Sequence, residues 1–103
     1  MSPASFVKKV LGIDIRSILP ADIEKHDLES SNGVVITSLT STSPLIRIGF
    51  EEKDLIFEIN SHEIMGPDDF INIFDEMEPH QWITIRAMDH RTGKIGYVQF
   101  FLQ

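Results

Sequence analysis

"SPLIRIGFEEKDLIFEIN" (Ser43 to Asn60) is the stretch on which the fold turns. Ser43 is of a type that caps helices, and Pro44 suits the first helical position, where its missing N–H is no loss. Gly49 fits the left-handed position that follows a last helical turn. A single short helix, about Pro44 to Ile48, is therefore expected. "DLIFEI" (Asp54 to Ile59) reads as a strand with Asn60-Ser61 as its turn, and "HEIM" after it as a second short strand.

Outward from this stretch the punctuation continues. "VVITSLT" (Val34 to Thr40) is rich in β-branched residues and reads as a strand preceded by the turn "SSNG". "LPADIEKHDL" (Leu19 to Leu28) reads as a short helix, with Asp22 and Glu24 early and Lys25 and His26 late, as the helix dipole favours. Val10 to Arg16 reads as a strand, with Gly12 as an awkward residue inside it. "GPDDFINIFDEMEP" (Gly66 to Pro79) is the strongest helix signal. Its Phe70, Ile73, Phe74 and Met77 form one apolar stripe, with Ile71 on a shoulder. Asp75, Glu76 and Glu78 lie late, against the dipole, and read as surface charge. "QWITIRAM" and "KIGYVQFFLQ" form a hairpin around "DHRTG"; Trp82, the only tryptophan, reads as core or half-buried strand packing. The order β, α, β, short α, β, (β), α, β, β predicts an α+β domain: a mainly antiparallel sheet capped by helices.

The 103 residues suit one domain, with residues 1–7 as a leader or linker and 8–103 as the folded part. No cysteine is present, so disulfides and cysteine-ligated zinc are excluded. The net charge of −7 argues against a nucleic-acid partner, which asks for a basic face. No window is long and apolar enough for membrane insertion, and no signal peptide is visible.

Four histidines and sixteen acids invite a search for an active site. His62-Glu63 is not followed by the second histidine of a zinc helix. Asp75, Glu76 and Glu78 lack the glycine and spacing of a calcium loop. His26, His80 and His90 fall near turns and read as solvated. No serine has the local context of an activated nucleophile. The expectation is a binding module with no catalytic residue, no metal and no cofactor. An acid- or metal-dependent hydrolase using Asp68, Asp69 and His62 is the weaker rival, since Asp68 and Asp69 serve a helix first turn equally well.

The pieces "VLGIDI", "NGVVITSLTSTSPLIRIGFEEKDLIFEINSHEI", "DDFINIF" and "WITIRAMDHRTGKIGYVQF" together resemble a PDZ domain of the bacterial HtrA/Deg-like serine protease type. The resemblance spans about Val10 to Leu102. It implies a PDZ-like, five- to six-stranded, partly open barrel or sandwich capped by two to three helices. Three positions depart from the family pattern: Lys53 stands where glycine usually precedes Asp54, Ser61 where glycine usually follows Asn60, and Ile48 where alanine usually precedes Gly49. These put the turn geometry in question more than the fold.

In such domains the Leu-Gly-Ile-like loop turns backbone N–H groups toward the C-terminal carboxylate of a peptide, which implies Leu11, Gly12 and Ile13 here. Successive N–H groups in one concavity make an anion site on general grounds. Lys8 or Lys9 would add positive potential. The ligand would then join as a strand beside Ile13 to Arg16, with Lys9, Val10, Leu11, Gly12, Ile13, Asp14 and Ile15 as the implied peptide-binding residues on this side. Pro67, Ile71 and Phe74 share one helix shoulder facing it, leaving Phe70, Ile73 and Met77 for the core. Pro67 replaces the histidine that many PDZ domains use to hold a ligand Ser or Thr, so an apolar residue is expected there. A bulky Phe74 suggests a shallow terminal pocket for Val, Ala, Ile or Leu.

The partners implied are C-terminal or unfolded-protein peptides with apolar ends. The setting implied is periplasmic or otherwise exported, with the catalytic triad in another domain of a larger protease. The alternative role is a structural or oligomerisation domain with a degenerate or filled groove. In that case self-association would run through the C-terminal "QFFLQ" segment.

Overall fold

The computed structural model describes residues 10–103. Lys8, Lys9 and the leader expected at residues 1–7 lie outside that range. From Ile13 onward, six strands and three helices follow in the expected order: β1 (Ile13–Ser17), α1 (Pro20–His26), β2 (Val34–Leu39), α2 (Pro44–Arg47), β3 (Leu55–Ile59), β4 (His62–Glu63), α3 (Pro67–Glu76), β5 (Gln81–Met88) and β6 (Ile95–Leu102). All the strand pairings are antiparallel. The sheet order is β1-β2-β3-β5-β6, with β4 on β3, so the sheet stays open with β1 and β6 at its ends.

Local chemistry explains the short elements. In α2 the Ser43 hydroxyl accepts a hydrogen bond from Leu45 N–H, and Pro44 opens the helix. Ser43 also donates to the Leu11 carbonyl at 2.5 Å, tying this cap to the start of β1. Asp22 in the first turn of α1 accepts from the Leu19 N–H at 2.8 Å, so one otherwise unpaired helical donor is satisfied.

The sheet is buried on both faces only in its first half. Along β2, Val34 and Ile36 enter the main core under α3, while Val35 enters a second cluster with Ile18, Leu55, Phe57 and Met88. Ile23 and Leu28, from α1 and the residues after it, close that second cluster. This alternation is what a strand with two covered faces produces. In β3 the register shifts between Ile56 and Glu58, which flips the alternation. Ile59 thereby joins the main core and Glu58 turns outward to Arg86, 3.4 Å away.

Three expectations need correction. The first strand does not begin at Val10: Val10 and Leu11 are helical, Gly12 has φ +66°, and the strand starts at Ile13. A left-handed residue ends one conformation and permits the next, so Gly12 is a junction rather than a defect inside a strand. Leu11 therefore does not share a strand face with Ile13 and Ile15, although its side chain is buried. Trp82 is not core: it is 66% exposed. Ile83 and Ile85 take the inward positions of β5, and among the described residues no helix covers the outer face where Trp82 points. The division of α3 also differs. Phe70 and Phe74 are both buried, with ring centroids 4.9 Å apart, while Ile71, Ile73 and Met77 are half-buried. Phe74 belongs to the core side, not to an exposed shoulder.

The family-pattern departures keep their backbone. Lys53 (φ +77°) and Ser61 (φ +68°) sit in the left-handed region that glycine adopts freely. Asn60 at φ +51° precedes Ser61, and Ile59 pairs with His62, so a two-residue turn with two positive φ values links β3 and β4. The turn geometry is retained and residues with side chains are strained into it.

Candidate peptide-binding edge

β1 ends the sheet, and α3 packs against it. The loop that enters β1 is fixed by two hydrogen bonds to the segment between β2 and α2. The Leu11 carbonyl accepts from Ser43 Oγ, and the Gly12 carbonyl accepts from Thr40 N–H at 2.7 Å. In a trans peptide the C=O and the following N–H point in opposite directions. Gly12 N–H and Ile13 N–H are therefore both turned away from that segment. Two successive donors pointing one way form an anion-binding arrangement.

Gly12 is required by space as well as by angle. A Cβ at this position would lie 2.4 Å from Thr40 Oγ1 and 3.2 Å from Ser43 Cβ. The loop can reach the Thr40–Ser43 segment this closely only without a side chain.

The strand phase carries the geometry on. Thr40 N–H bonds to Gly12, so the ladder with β2 alternates from that point. Ile13 and Ile15 consequently present their N–H and C=O groups to the free edge. A bulge in the partner strand opposite Asp14 and Ile15 leaves this alternation in β1 intact. Asp14 and Arg16 turn to the opposite face. Ser38 Oγ donates to Asp14 at 2.6 Å. Arg16 binds Asp22 of α1 through both nitrogens, at 2.8 and 3.1 Å. The hydrogen bond from Arg16 holds the Asp22 carboxyl below the usual carboxylate range, against a smaller opposing effect of desolvation. The pairing raises Arg16 in turn. This bidentate contact fixes β1 from behind, and among the described residues β1 pairs with β2 alone.

The expected site residues fall as follows. Leu11 and Ile13 are buried at 1% and 2% exposure, and Val10 and Ile15 are half-buried against the main core. Pro67 opens α3 and is half-buried, Ile71 is half-buried one turn later, and Phe74 is buried beneath. Lys9 lies outside the described residues. The structure brings β1 and α3 side by side.

The rival hydrolase set is only partly gathered. His62 Nε2 lies 3.5 Å from Asp69, but that Asp69 oxygen also accepts the Met65 N–H at 2.9 Å, and Asp68 is exposed. Sequence reading missed a different trio: Asp54, Asp89 and His90, whose ligand atoms lie within 4.8 Å of one another. Asp54 is buried and both its oxygens are engaged, one by Glu51 N–H and the other by His90 N–H and Nδ1. This carboxylate ties the turn before β3 to the β5–β6 hairpin. His90 is accordingly not a freely solvated turn residue; its side chain is 15% exposed. Two surface concavities, of ≈ 270 and ≈ 510 Å³, are lined by neither β1 nor α3 residues. A ligand that joins as a strand needs an edge rather than a cavity, so neither competes with β1 for that role.

An open antiparallel sheet with a glycine-containing loop leading into an end strand, and a helix beside that strand, is a PDZ-like fold. Solved structures agree. An HtrA-type protease AlgW with decapeptide superposes with TM-score 0.70 at 22% identity, over 90% of this chain and 29% of that one. AlgW with tripeptide gives TM-score 0.69 at 20% identity, over 96% and 35%. The HtrA3 PDZ domain bound to a phage-derived ligand (FGRWV) gives TM-score 0.63 at 18% identity, over 87% and 78%. The chain thus spans about a third of the AlgW protease chains it resembles. No family model matches the sequence, and no curated protein matches it.

Proposed function

We propose that this chain is a peptide-binding module that captures C-terminal or extended apolar segments by strand addition at β1. The observation that carries the reading is the anchoring of the Leu11 and Gly12 carbonyls. It leaves two successive N–H groups pointing away from the core segment at the head of a free edge strand. A ligand carboxylate placed there receives two charge-assisted hydrogen bonds, and the ligand backbone continues along Ile13 and Ile15. The fold neighbours AlgW and HtrA3 PDZ, each described with a peptide, support the same use of the fold.

Pro67, the first residue of α3, has no side-chain donor, so the ligand position beside it takes an apolar residue. Phe74, buried at the base, makes the terminal pocket shallow and suited to Val, Ala, Ile or Leu. In this reading the chain serves an HtrA-like protease as a non-catalytic substrate-reading or regulatory unit in an exported compartment.

A second reading has one observation in its favour: Leu11, Ile13 and Phe74 are each almost fully buried, as they are where a groove has closed. The role would then be structural. Self-association by lending "QFFLQ" to a neighbour's groove meets a cost. Those residues lie in β6, with Phe100 and Leu102 buried, so β6 must first leave β5.

One fluorescence-anisotropy titration separates the readings. A labelled peptide ending in Val is expected to bind as the free acid and to lose at least about tenfold in affinity, about 1.4 kcal/mol, as the C-terminal amide. Equal binding of acid and amide contradicts the carboxylate loop, and no binding of either favours the closed groove.

A further inference from the structure

The opposite end of the sheet presents a second edge that the peptide-reading function does not use. β6 runs eight residues, pairs only with β5 among the described residues, and reads IGYVQFFL. It contains no charge and no proline, the devices by which exposed edges are usually blunted. Beside it the outer sheet face carries Trp82 and Tyr97, each 66% exposed, Ile95 at 47% and Phe101 at 40%. Trp82 and Phe101 are directly opposite in the ladder and meet edge to face at 5.6 Å.

The ladder phase shows which backbone groups face outward. Asp89 N–H bonds to the Lys94 carbonyl, and the register pairs Met88 with Ile95, Ala87 with Gly96 and so on to Gln81 with Leu102. Hydrogen-bonded pairs alternate along an antiparallel ladder. Gly96, Val98, Phe100 and Leu102 therefore bond to β5. Ile95, Tyr97, Gln99 and Phe101 direct both N–H and C=O to the open edge. The residues whose backbone is unpaired among the described residues are the same ones whose side chains form the exposed face.

We propose that β6 pairs with β6 of a second copy of this chain, antiparallel about a two-fold axis at Gln99. In that register Gln99 faces its own copy and Tyr97 faces Phe101 of the partner. About six hydrogen bonds close the edge. Trp82, Phe101, the partner's Tyr97 and the partner's Arg86 line up across the joined sheet, an aromatic row of the kind that stabilises cross-strand packing.

A local charge contact points to a copy of the same chain as the occupant, against the general repulsion of two acidic copies. Each copy carries −7, yet the seam itself is uncharged. The two-fold places the hairpin end, with Lys94, against the partner's far end of β6. There Gln81 Nε2 holds the Glu78 carbonyl at 2.6 Å, and the acids Asp75, Glu76 and Glu78 are exposed. Lys94 has no ion pair among the described residues. The late acids that oppose the α3 dipole thus acquire a basic counterpart.

The test is sedimentation equilibrium of the 103-residue chain from micromolar to millimolar concentration, with amide hydrogen exchange read on the same samples. The mass is expected to double, and the amides of Tyr97, Gln99 and Phe101 to gain protection as it does. Gln99→Lys sets two ammonium groups at the axis and is expected to move the monomer–dimer midpoint up at least about tenfold. Gln99→Pro removes an outward N–H without touching the β5 ladder and is expected to do the same, which guards against an unfolding artefact. A single-copy mass at every concentration overturns the proposal. So does a dimer whose Tyr97, Gln99 and Phe101 amides exchange freely, or one that a groove peptide dissolves.

Discussion

β1 and β6 close the same sheet at opposite ends, and among the described residues each lacks a neighbouring strand on one side. β1 is five residues long, stands opposite a bulge, is braced behind by the Arg16–Asp22 pair and is flanked by α3. β6 is eight residues long and has nothing over its outer face among the described residues. The contrast shows two ways of leaving an edge open. At β1 the open edge is short and flanked by α3, which under the proposed function suits a single extended chain. At β6 the exposed backbone is long and bordered by aromatic side chains, so it suits another strand of equal length.

The largest expected effect tests whether the two sides differ in packing as described. Phe74→Ala, beneath the β1 edge, is expected to cost about 3–5 kcal/mol in denaturant unfolding. Trp82→Ala, beside the β6 edge, is expected to change stability by no more than about 1 kcal/mol in dilute solution. Similar losses at both positions would erase the contrast. Next in size is Gly12→Ala. The left-handed angle alone costs about 1–2 kcal/mol, and the contact with Thr40 adds to it. This variant is expected to lose peptide binding while leaving any β6 association unchanged.

A smaller, opposite effect is expected at the strained turns. Lys53→Gly and Ser61→Gly each relieve a left-handed residue and are expected to raise stability by up to about 1 kcal/mol, since glycine's own entropy cost offsets part of the gain. Thermal unfolding checks this, and a loss in both variants would show that the side chains contribute more than the strain costs.

The smallest effect concerns the brace behind β1. Asp22 is held low in the folded state, so its contribution is complete above the unfolded value of about 3.9 and is lost as pH falls through the lowered folded value. Arg16 is well exposed, and solvent screening limits the pair to less than about 1 kcal/mol. Asp22→Asn is expected to flatten the acid limb of the stability curve; an unchanged limb would assign that limb to other carboxylates.

Much of this architecture is legible in the sequence where backbone chemistry is specific. Ser43-Pro44 and Gly49 mark α2 within a residue, and Gly12 marks the loop because its position tolerates no side chain. The faces are less legible. The five apolar residues in the Phe70–Met77 stretch leave the rotation of α3 undecided, and the packing of Phe70 on Phe74 settles it. Trp82 reads as buried because alternation along β5 separates two faces but does not say which one a helix covers. By residue type Lys53 and Ser61 give no hint of positive φ, since neither prefers it; only the glycine of the family pattern at those two positions points there. The Asp54–His90 contact joins residues far apart in sequence that no local pattern connects.

The most direct test is an NMR titration of the chain with a short apolar peptide, as free acid and as C-terminal amide. The account predicts shifts at Leu11 to Ile15 and at Ile71 to Phe74 with the acid, lost with the amide, and none along Tyr97 to Phe101. Shifts along β6 with β1 silent, or no shift anywhere, would contradict it.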